Sequence, residues 1–182
     1  MECWSELLVQ PKPSSLQQTQ QLVYVKYTAP TQQTSKYSDP PRRTVVTLES
    51  RGLLASSGTT GFRTWEAALH LGTFLATPAG GKLVRGKKVL ELGAGSGFLS
   101  MFCAKHLGVQ RVVATDCRAS LLGNIQDCVV RNQLDPGSVH TAIWEWGTEP
   151  QELFSSSSGS DGDGKKGLFD IALGADLVCT IP

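Results

Sequence analysis

The chain has 182 residues and a formal net charge of +1, with 17 Lys and Arg against 16 Asp and Glu. This length suits one domain, and the near balance of charges argues against a broad electrostatic surface for nucleic acid or anionic membrane. No apolar stretch reaches the ~20 residues that a membrane-spanning helix needs, and the acidic N-terminus is unlike a secretory signal.

Residues 1–43 are predicted to form a poorly ordered N-terminal segment. Gln, Ser and Pro are dense there, so the segment buries too little apolar area to offset the entropy of ordering it. Within it, Leu22–Val25 is compatible with a short strand. Thr44–Leu48 follows and is rich in β-branched residues, which predicts a better strand.

A helix is predicted after the turn-forming residues 56–61. Thr64 is expected to cap its N-terminus, where serine and threonine hydroxyls accept backbone N–H groups. Trp65 begins an apolar face at helical spacing, and Pro78 with Gly80 and Gly81 is expected to end the helix.

Beyond residue 86 the pattern changes to alternating strands and helices. Strands are predicted at Lys88–Leu92, Arg111–Thr115, Val139–Trp144 and Phe169–Gly174, and helices at Phe98–Leu107 and Ser120–Asn132. This alternation predicts right-handed crossovers and a mainly parallel sheet, an α/β fold. The run 155–167 is rich in Ser and Gly, which predicts a flexible, solvated loop without a complete calcium motif.

A glycine-rich loop follows the first of these later strands and precedes a helix. Gly93, Gly95 and Gly97 let the backbone turn sharply and approach a ligand without Cβ clashes. The main alternative is a dinucleotide fingerprint, G-x-G-x-x-G. Here the spacing is G-x-G-x-G, and Phe98 stands where that fingerprint needs its third glycine.

Two acidic residues accompany the loop. Glu91 lies in the strand before it, where it would repel a pyrophosphate but suits a cationic amino acid or a sulfonium. Asp116 ends the next strand, about 20 residues past the loop, where a carboxylate can accept hydrogen bonds from both ribose hydroxyls. The alternative for Asp116 is a charge that stabilises a helix N-terminus.

Residues 91–97 and the Thr-Asp pair at 115–116 resemble the S-adenosylmethionine site of Rossmann-like class I methyltransferases. Segments 58–68, 144–147 and 174–178 are similar to the protein-lysine methyltransferases of the methyltransferase-16 group. The G-T-T-G-x-x-T-W form is most similar to the branch that methylates a lysine of translation elongation factor 2. The resemblance implies an S-adenosylmethionine-dependent protein-lysine N-methyltransferase acting on elongation factor 2, with its domain at 44–182.

The resemblance also implies roles for individual residues. The cofactor-binding residues would be Trp65, Glu91, Gly93, Ala94, Gly95, Asp116, Trp146 and Ala175. Asp116 would hold the ribose, and Trp146 would stack near the adenine, as a π face can. Asp176 would be the catalytic residue, positioning the substrate lysine, and no metal is expected. Trp65 is also compatible with a core tryptophan, and Trp144 is expected in the core.

Two features depart from the family's pattern. The family places Tyr or Phe three residues after the acidic residue, where this chain has Cys179. The chain ends at Pro182, after the fourth core strand, whereas the related sheet continues with further strands. We therefore expect a Rossmann-like sheet truncated after that strand, which is poorly soluble or marginally folded alone and transfers little methyl to elongation factor 2.

Two alternative functions stay open at this point: a class I methyltransferase with another substrate, and a truncated non-catalytic protein that keeps cofactor binding. The expected partner is a protein substrate, without direct nucleic acid or membrane binding, and the expected state is a monomer. The cysteines are five, widely spaced and without a C-x-x-C pair. This pattern predicts reduced thiols, no zinc site, and a cytoplasmic location with the nucleus as the alternative.

Overall fold

The computed structural model describes residues 22–29, 42–50, 60–149 and 168–177. Its strands are β1 (Leu22–Thr28), β2 (Thr44–Ser50), β3 (Lys88–Leu92), β4 (Arg111–Asp116), β5 (Val139–Ile143) and β6 (Ile171–Gly174). Its helices are α1 (Glu66–Ala76), α2 (Pro78–Val84), α3 (Phe98–His106) and α4 (Ala119–Arg131). The predicted loop 155–167 and Cys179 lie outside the described residues.

Four of the strands form a parallel sheet in the order β5-β4-β3-β6. Leu90 lies opposite Val113 of β4, and Glu91 lies opposite Leu173 of β6. The crossover from β3 to β4 contains α3, and the crossover from β4 to β5 contains α4. The predicted α/β fold with a parallel sheet is therefore confirmed, and the carboxyl ends of its strands meet at one edge.

The main core contains apolar side chains from the sheet and from α1, α3 and α4. Val112 and Ala114 of β4 belong to this core, whereas Val113 packs in a smaller cluster with Ala142 and the partly buried Trp144. Successive residues of a strand point to opposite faces, which explains the division. The expectation that Trp144 serves packing agrees with its place in the smaller cluster.

The β1–β2 hairpin is a separate antiparallel sheet, with Leu22 opposite Ser50. Val45 of β2 is buried in the main core. The side chain of Asn132, at the end of α4, accepts from the Val46 N–H at 2.9 Å and donates to the Val46 carbonyl at 2.7 Å. A side-chain amide thus satisfies the donor and the acceptor of one strand residue, and it fixes the hairpin to the α/β unit.

The first helix ends at Ala76, just before Pro78 as predicted, but its predicted boundaries are wrong in two other details. Thr64 is not its N-cap, because the cap is Trp65 and no side chain accepts a hydrogen bond there. Gly80 does not end the helix but lies inside α2, which begins at Pro78 and is capped by the Thr77 hydroxyl. A Cβ at Gly80 would overlap the Phe74 carbonyl oxygen, so glycine permits the close approach of α1 and α2.

The predicted strand Val139–Trp144 ends one residue earlier, at Ile143. The chain turns there, since the Thr148 N–H donates to the Glu145 carbonyl at 3.1 Å. Trp146 therefore lies in a turn after the strand. This turn brings its ring to the loop that follows β3.

The described helices include none that is long and apolar enough to cross a membrane. In the same part of the chain, no group of three or more His, Cys, Asp and Glu could hold a metal ion. The described cysteines Cys103, Cys117 and Cys128 are free thiols. Burial raises the pKa of Cys103 to about 12 and that of Cys128 to about 11, so neither is an ionised nucleophile at neutral pH.

Candidate functional site

The loop between β3 and α3 requires its glycines. Gly93, Gly95 and Gly97 have φ of 58°, 52° and 73°, in the left-handed region that side chains rarely adopt. Gly97 is also the residue from which α3 starts. The loop thus places the backbone N–H groups of a helix N-terminus at the carboxyl edge of the sheet.

The loop is packed closely by other segments. A Cβ on Gly95 would lie 3.0 Å from the carbonyl oxygen of Gly61. At the position of the missing third fingerprint glycine, the buried Phe98 ring packs against α1, and a Cβ on Gly72 would lie 2.8 Å from it. The segment before α1 therefore lies directly against the loop, as an element of the site.

Asp116, the predicted ribose ligand, holds the loop in place. Its Oδ2 accepts from the Gly95 N–H at 3.0 Å, and its Oδ1 accepts from the Arg118 N–H at 3.1 Å. A carboxylate offers about four acceptor positions, so each oxygen keeps capacity for a ligand hydroxyl. The carboxylate is half-buried at the end of β4, and this placement fits the predicted role.

Glu91 is buried beneath the loop and bonds to α3. Its Oε2 accepts from the Ser100 N–H at 2.9 Å and from the Ser100 hydroxyl. Burial raises the pKa of the Glu91 carboxyl from its ordinary 4.5 to about 7, the Ser100 hydrogen bonds oppose that rise, and the charge of Asp116 adds to it. Glu91 therefore exchanges a proton near neutral pH at the base of the site.

The Glu91→Gln variant is expected to be more stable than the parent protein at pH 8, and similar to it at pH 5. Between the ordinary pKa of 4.5 and the folded value of about 7, the folded protein holds a proton that the unfolded chain has released. The unfolding free energy then falls by up to ~1.4 kcal/mol per pH unit as pH rises through this interval. Glutamine removes this loss while its carbonyl still accepts from Ser100.

Urea unfolding of both proteins from pH 4.5 to pH 8 tests this prediction. We expect a gain of about 1–3 kcal/mol for the variant at pH 8, within the range for relieving a buried charge. If the unfolding free energies of the two proteins change with pH in parallel, Glu91 does not titrate in this interval.

Two apolar side chains cover Gly93. A Cβ on Gly93 would lie 2.8 Å from Leu177 Cδ2 and 3.5 Å from Trp146 Cζ2. Both residues keep 40% of their surface exposed, although they are large and apolar. Trp146 was predicted for the site from sequence, whereas Leu177 was not. An exposed apolar pair beside a glycine loop is suited to covering an aromatic or aliphatic part of a ligand.

Trp65 lies in the segment before α1, next to Thr64, whose hydroxyl contacts the hydroxyl of the loop residue Ser96. The Trp65 Nε1 donates to the Thr60 carbonyl at 3.2 Å, and the Arg63 guanidinium lies 5.2 Å from the centre of its ring. The indole is half-buried and does not belong to the hydrophobic core clusters. Its position beside the loop is compatible with lining a pocket.

The remaining predicted residues lie at the ends of β3 and β6. Ala94 is buried and donates its N–H to the Thr115 carbonyl at 2.8 Å. Ala175 packs on the main core just after β6. Asp176 is exposed and has a φ of 57°, which is unusual outside glycine and is tolerated by aspartate. Because β6 pairs with β3 in parallel, Asp176 and the glycine loop share one edge of the sheet.

Sequence reasoning missed a buried polar network beside the loop. The Thr64 hydroxyl contacts the Ser96 hydroxyl at 2.6 Å and donates to Glu49 Oε1 at 2.8 Å. One signal was available in the sequence of β2: Val45, Thr47 and Glu49 alternate, and this pattern puts a carboxylate on a buried face.

Comparison with known proteins identifies relatives over most of this chain. Residues 54–178 match the Methyltransf_16 family, described as lysine methyltransferase. The chain is 39% identical over 178 residues to the protein-lysine N-methyltransferase EFM3 of Chaetomium thermophilum, covering 97% of this chain and 50% of that protein.

Two mouse proteins are also similar. Protein-lysine N-methyltransferase EEF2KMT is 33% identical over 106 residues, which cover 57% of this chain and 30% of that protein. EEF1A lysine methyltransferase 3 is 34% identical over 120 residues, which cover 66% of this chain and 44% of that protein. The chain thus spans half or less of the length of these relatives.

Proposed function

The chain belongs to the lysine methyltransferase family, and from this premise we propose that it binds S-adenosylmethionine at the glycine loop and methylates a lysine of a protein. One observation carries the proposal: the loop between β3 and α3 is tied to the β4 carboxylate through the Gly95–Asp116 hydrogen bond. This arrangement joins a close backbone approach to a ribose acceptor at one edge of a parallel sheet.

The residues of the site fit the cofactor in shape and charge. The left-handed glycines place the loop backbone at the carboxyl edge of the sheet, where the methionine portion would lie along it. The exposed ring of Trp146 offers a flat apolar face to an adenine. Glu91 places a titratable carboxyl below the loop, where a cation would favour its ionised form.

The cofactor supplies a methyl group on a positively charged sulfur, which keeps the electron pair of the broken carbon–sulfur bond. The protein's contribution is mainly proximity and orientation of the attacking amine. The amine must be neutral to attack, and contact with apolar groups such as Leu177 and Trp146 favours the neutral form. Asp176 would accept a hydrogen bond from this amine and orient it. The lysine loses its proton to water before the attack, and the methylated nitrogen that forms carries the positive charge that the sulfur gives up.

Elongation factor 2 is the proposed substrate. The G-T-T-G-x-x-T-W motif resembles that branch of the family, and the similar mouse protein bears the name EEF2KMT. Elongation factor 1A is the second candidate, since another relative is named EEF1A lysine methyltransferase 3. We also propose that the protein acts as a cytoplasmic monomer, as the sequence predicts.

Transfer of a radiolabelled methyl group to purified elongation factors 2 and 1A tests the substrate. Only weak label on elongation factor 2 is expected from this chain, and label on factor 1A alone would make factor 1A the substrate instead. Binding of S-adenosylhomocysteine without transfer to either factor would support a non-catalytic protein or a different substrate.

The Asp116→Ala variant is expected to bind S-adenosylhomocysteine about 10- to 100-fold more weakly, as when hydrogen bonds to a charged group are lost. Calorimetry measures the affinity, and Asp135→Ala is a matched control because the described contact of that exposed carboxylate stays within its own turn, where it accepts from the Gly137 N–H at 2.7 Å. Equally strong binding of NAD to the parent protein would contradict the cofactor assignment.

A further inference from the structure

Glu49 is a buried acid whose described partners are hydroxyl groups. Its exposed fraction is 2%. Oε1 accepts from the hydroxyls of Thr47 at 2.6 Å and Thr64 at 2.8 Å, and Oε2 accepts from the Tyr27 hydroxyl at 3.2 Å. A buried carboxylate is held at this depth only when donors replace its water, so its position in β2 depends on these hydroxyls.

The carboxylate fixes the direction of the hydrogen bonds that lead to the glycine loop. A carboxylate can only accept, so the single Thr64 hydroxyl proton points to Glu49. The Ser96 hydroxyl must then donate to the Thr64 oxygen across their 2.6 Å contact. Ser96, Thr64 and Glu49 form a directed hydroxyl chain, which links the loop to the end of β2.

This hydroxyl chain crosses the junction of three segments. Ser96 lies between Gly95 and Gly97, whose left-handed conformations define the loop. Beside the chain, the Ser50 N–H donates to the Phe62 carbonyl at 2.8 Å, which fixes the segment before α1 to the same strand end. Among the described residues, the hydroxyl chain therefore gives the hairpin a buried polar link to the loop.

We propose that Glu49 is a positioning residue of the cofactor site, which acts through Thr64 and Ser96 to hold the glycine loop in its binding conformation before a ligand arrives. The proposal rests on the proposed function in assigning the cofactor to this loop. Its physical basis is preorganisation, because a loop already ordered loses less entropy on binding. The Ser96 oxygen, having donated its proton, can meet a ligand only as an acceptor.

Thr64→Val tests the hydroxyl chain most directly, since valine keeps the shape of threonine and removes its hydroxyl. We expect amide hydrogen exchange at Gly95 and Gly97 to become about ten-fold faster in the ligand-free protein, as the local opening free energy falls. The affinity for S-adenosylhomocysteine, measured by calorimetry on the full chain, should fall by about ten-fold. Thr64→Ser keeps the hydroxyl and should restore both values.

Tyr24→Phe is the matched control. The Tyr24 hydroxyl bonds to Asp127 at 2.6 Å on the exposed side of the hairpin, away from the hydroxyl chain. Tyr24→Phe should change neither the amide exchange of the loop nor the affinity for S-adenosylhomocysteine, even if urea unfolding shows that it lowers stability. If the two variants lose affinity in proportion to their loss of stability, Glu49 is merely structural and the proposal is wrong.

Ser96→Ala and Glu49→Gln complete the test. Ser96→Ala removes only the hydroxyl at the loop end of the hydroxyl chain, so it can replace Thr64→Val if that variant does not fold. The same faster amide exchange is expected. Unchanged exchange at Gly95 in both Ser96→Ala and Glu49→Gln would overturn the proposal. Failure of the parent protein to bind S-adenosylhomocysteine would contradict the proposed function instead, and loop exchange would still decide the role of Glu49.

Discussion

The Gly97→Ala variant is expected to lose about 2–4 kcal/mol of unfolding free energy, which is a large part of the stability of a domain this size. Gly97 has a φ of 73°, which an alanine adopts only under strain. Its Cβ would also lie 2.6 Å from Ile125 Cγ1, inside the buried contact between the loop and α4. Urea unfolding measures the loss, and the loop that starts α3 should be disordered with it.

Substitutions at two other glycines separate the backbone strain from the steric overlap with Ile125. Gly86 has a φ of 67° with open space around its Cα, so Gly86→Ala should show the strain alone, about 1 kcal/mol. Gly123 lies exposed within α4 with open space, so Gly123→Ala should stabilise the protein by about 0.5–1 kcal/mol. If Gly97→Ala loses no more unfolding free energy than Gly86→Ala, the overlap with Ile125 does not contribute to the loss.

The Asn132→Ala variant is expected to destabilise the protein by about 2–4 kcal/mol, because it leaves the half-buried N–H and carbonyl of Val46 without their side-chain partner. Asn132 is 2% exposed. Its amide bonds to both backbone groups of Val46 and also donates to the Cys128 carbonyl at 2.8 Å. Loss of the amide should release the hairpin first, so faster hydrogen exchange in β1 and β2 should accompany the drop in stability.

Asn132→Asp sharpens this test, since aspartate keeps the shape but places an oxygen where the donor faces two carbonyls. It should destabilise at least as much as alanine at neutral pH. The exposed hairpin contact removed by Tyr24→Phe should contribute much less to stability than the Asn132 amide does. Equal effects of Tyr24→Phe and Asn132→Ala would mean that Asn132 is not the main link between hairpin and domain.

The periodic elements were predictable because their patterns are local. β-branched runs and apolar periodicity place β3, β4, α3 and α4 within a residue or two of their observed bounds. The errors fall where a side chain has a more distant partner. Thr64 carries the residue type of an N-cap, but its hydroxyl bonds to Glu49 and Ser96 from two other segments. Gly80 resembles a helix terminator, and instead it permits close packing of two helices.

The sequence by itself determined the alternation of strands and helices, the glycine loop and the acidic residue that ends β4, because these depend on neighbours within a few residues. Only the tertiary structure decided that Leu177 covers Gly93, that Asn132 holds the hairpin, and that Glu49 reaches the loop through Thr64 and Ser96. These contacts join segments far apart in the chain. The partners of Asn132 and Glu49 are selected by the burial of polar groups that must be satisfied, a condition that applies to the whole fold. The alternation in β2 marks Glu49 as buried, but no local pattern shows which distant groups it or Asn132 will bond.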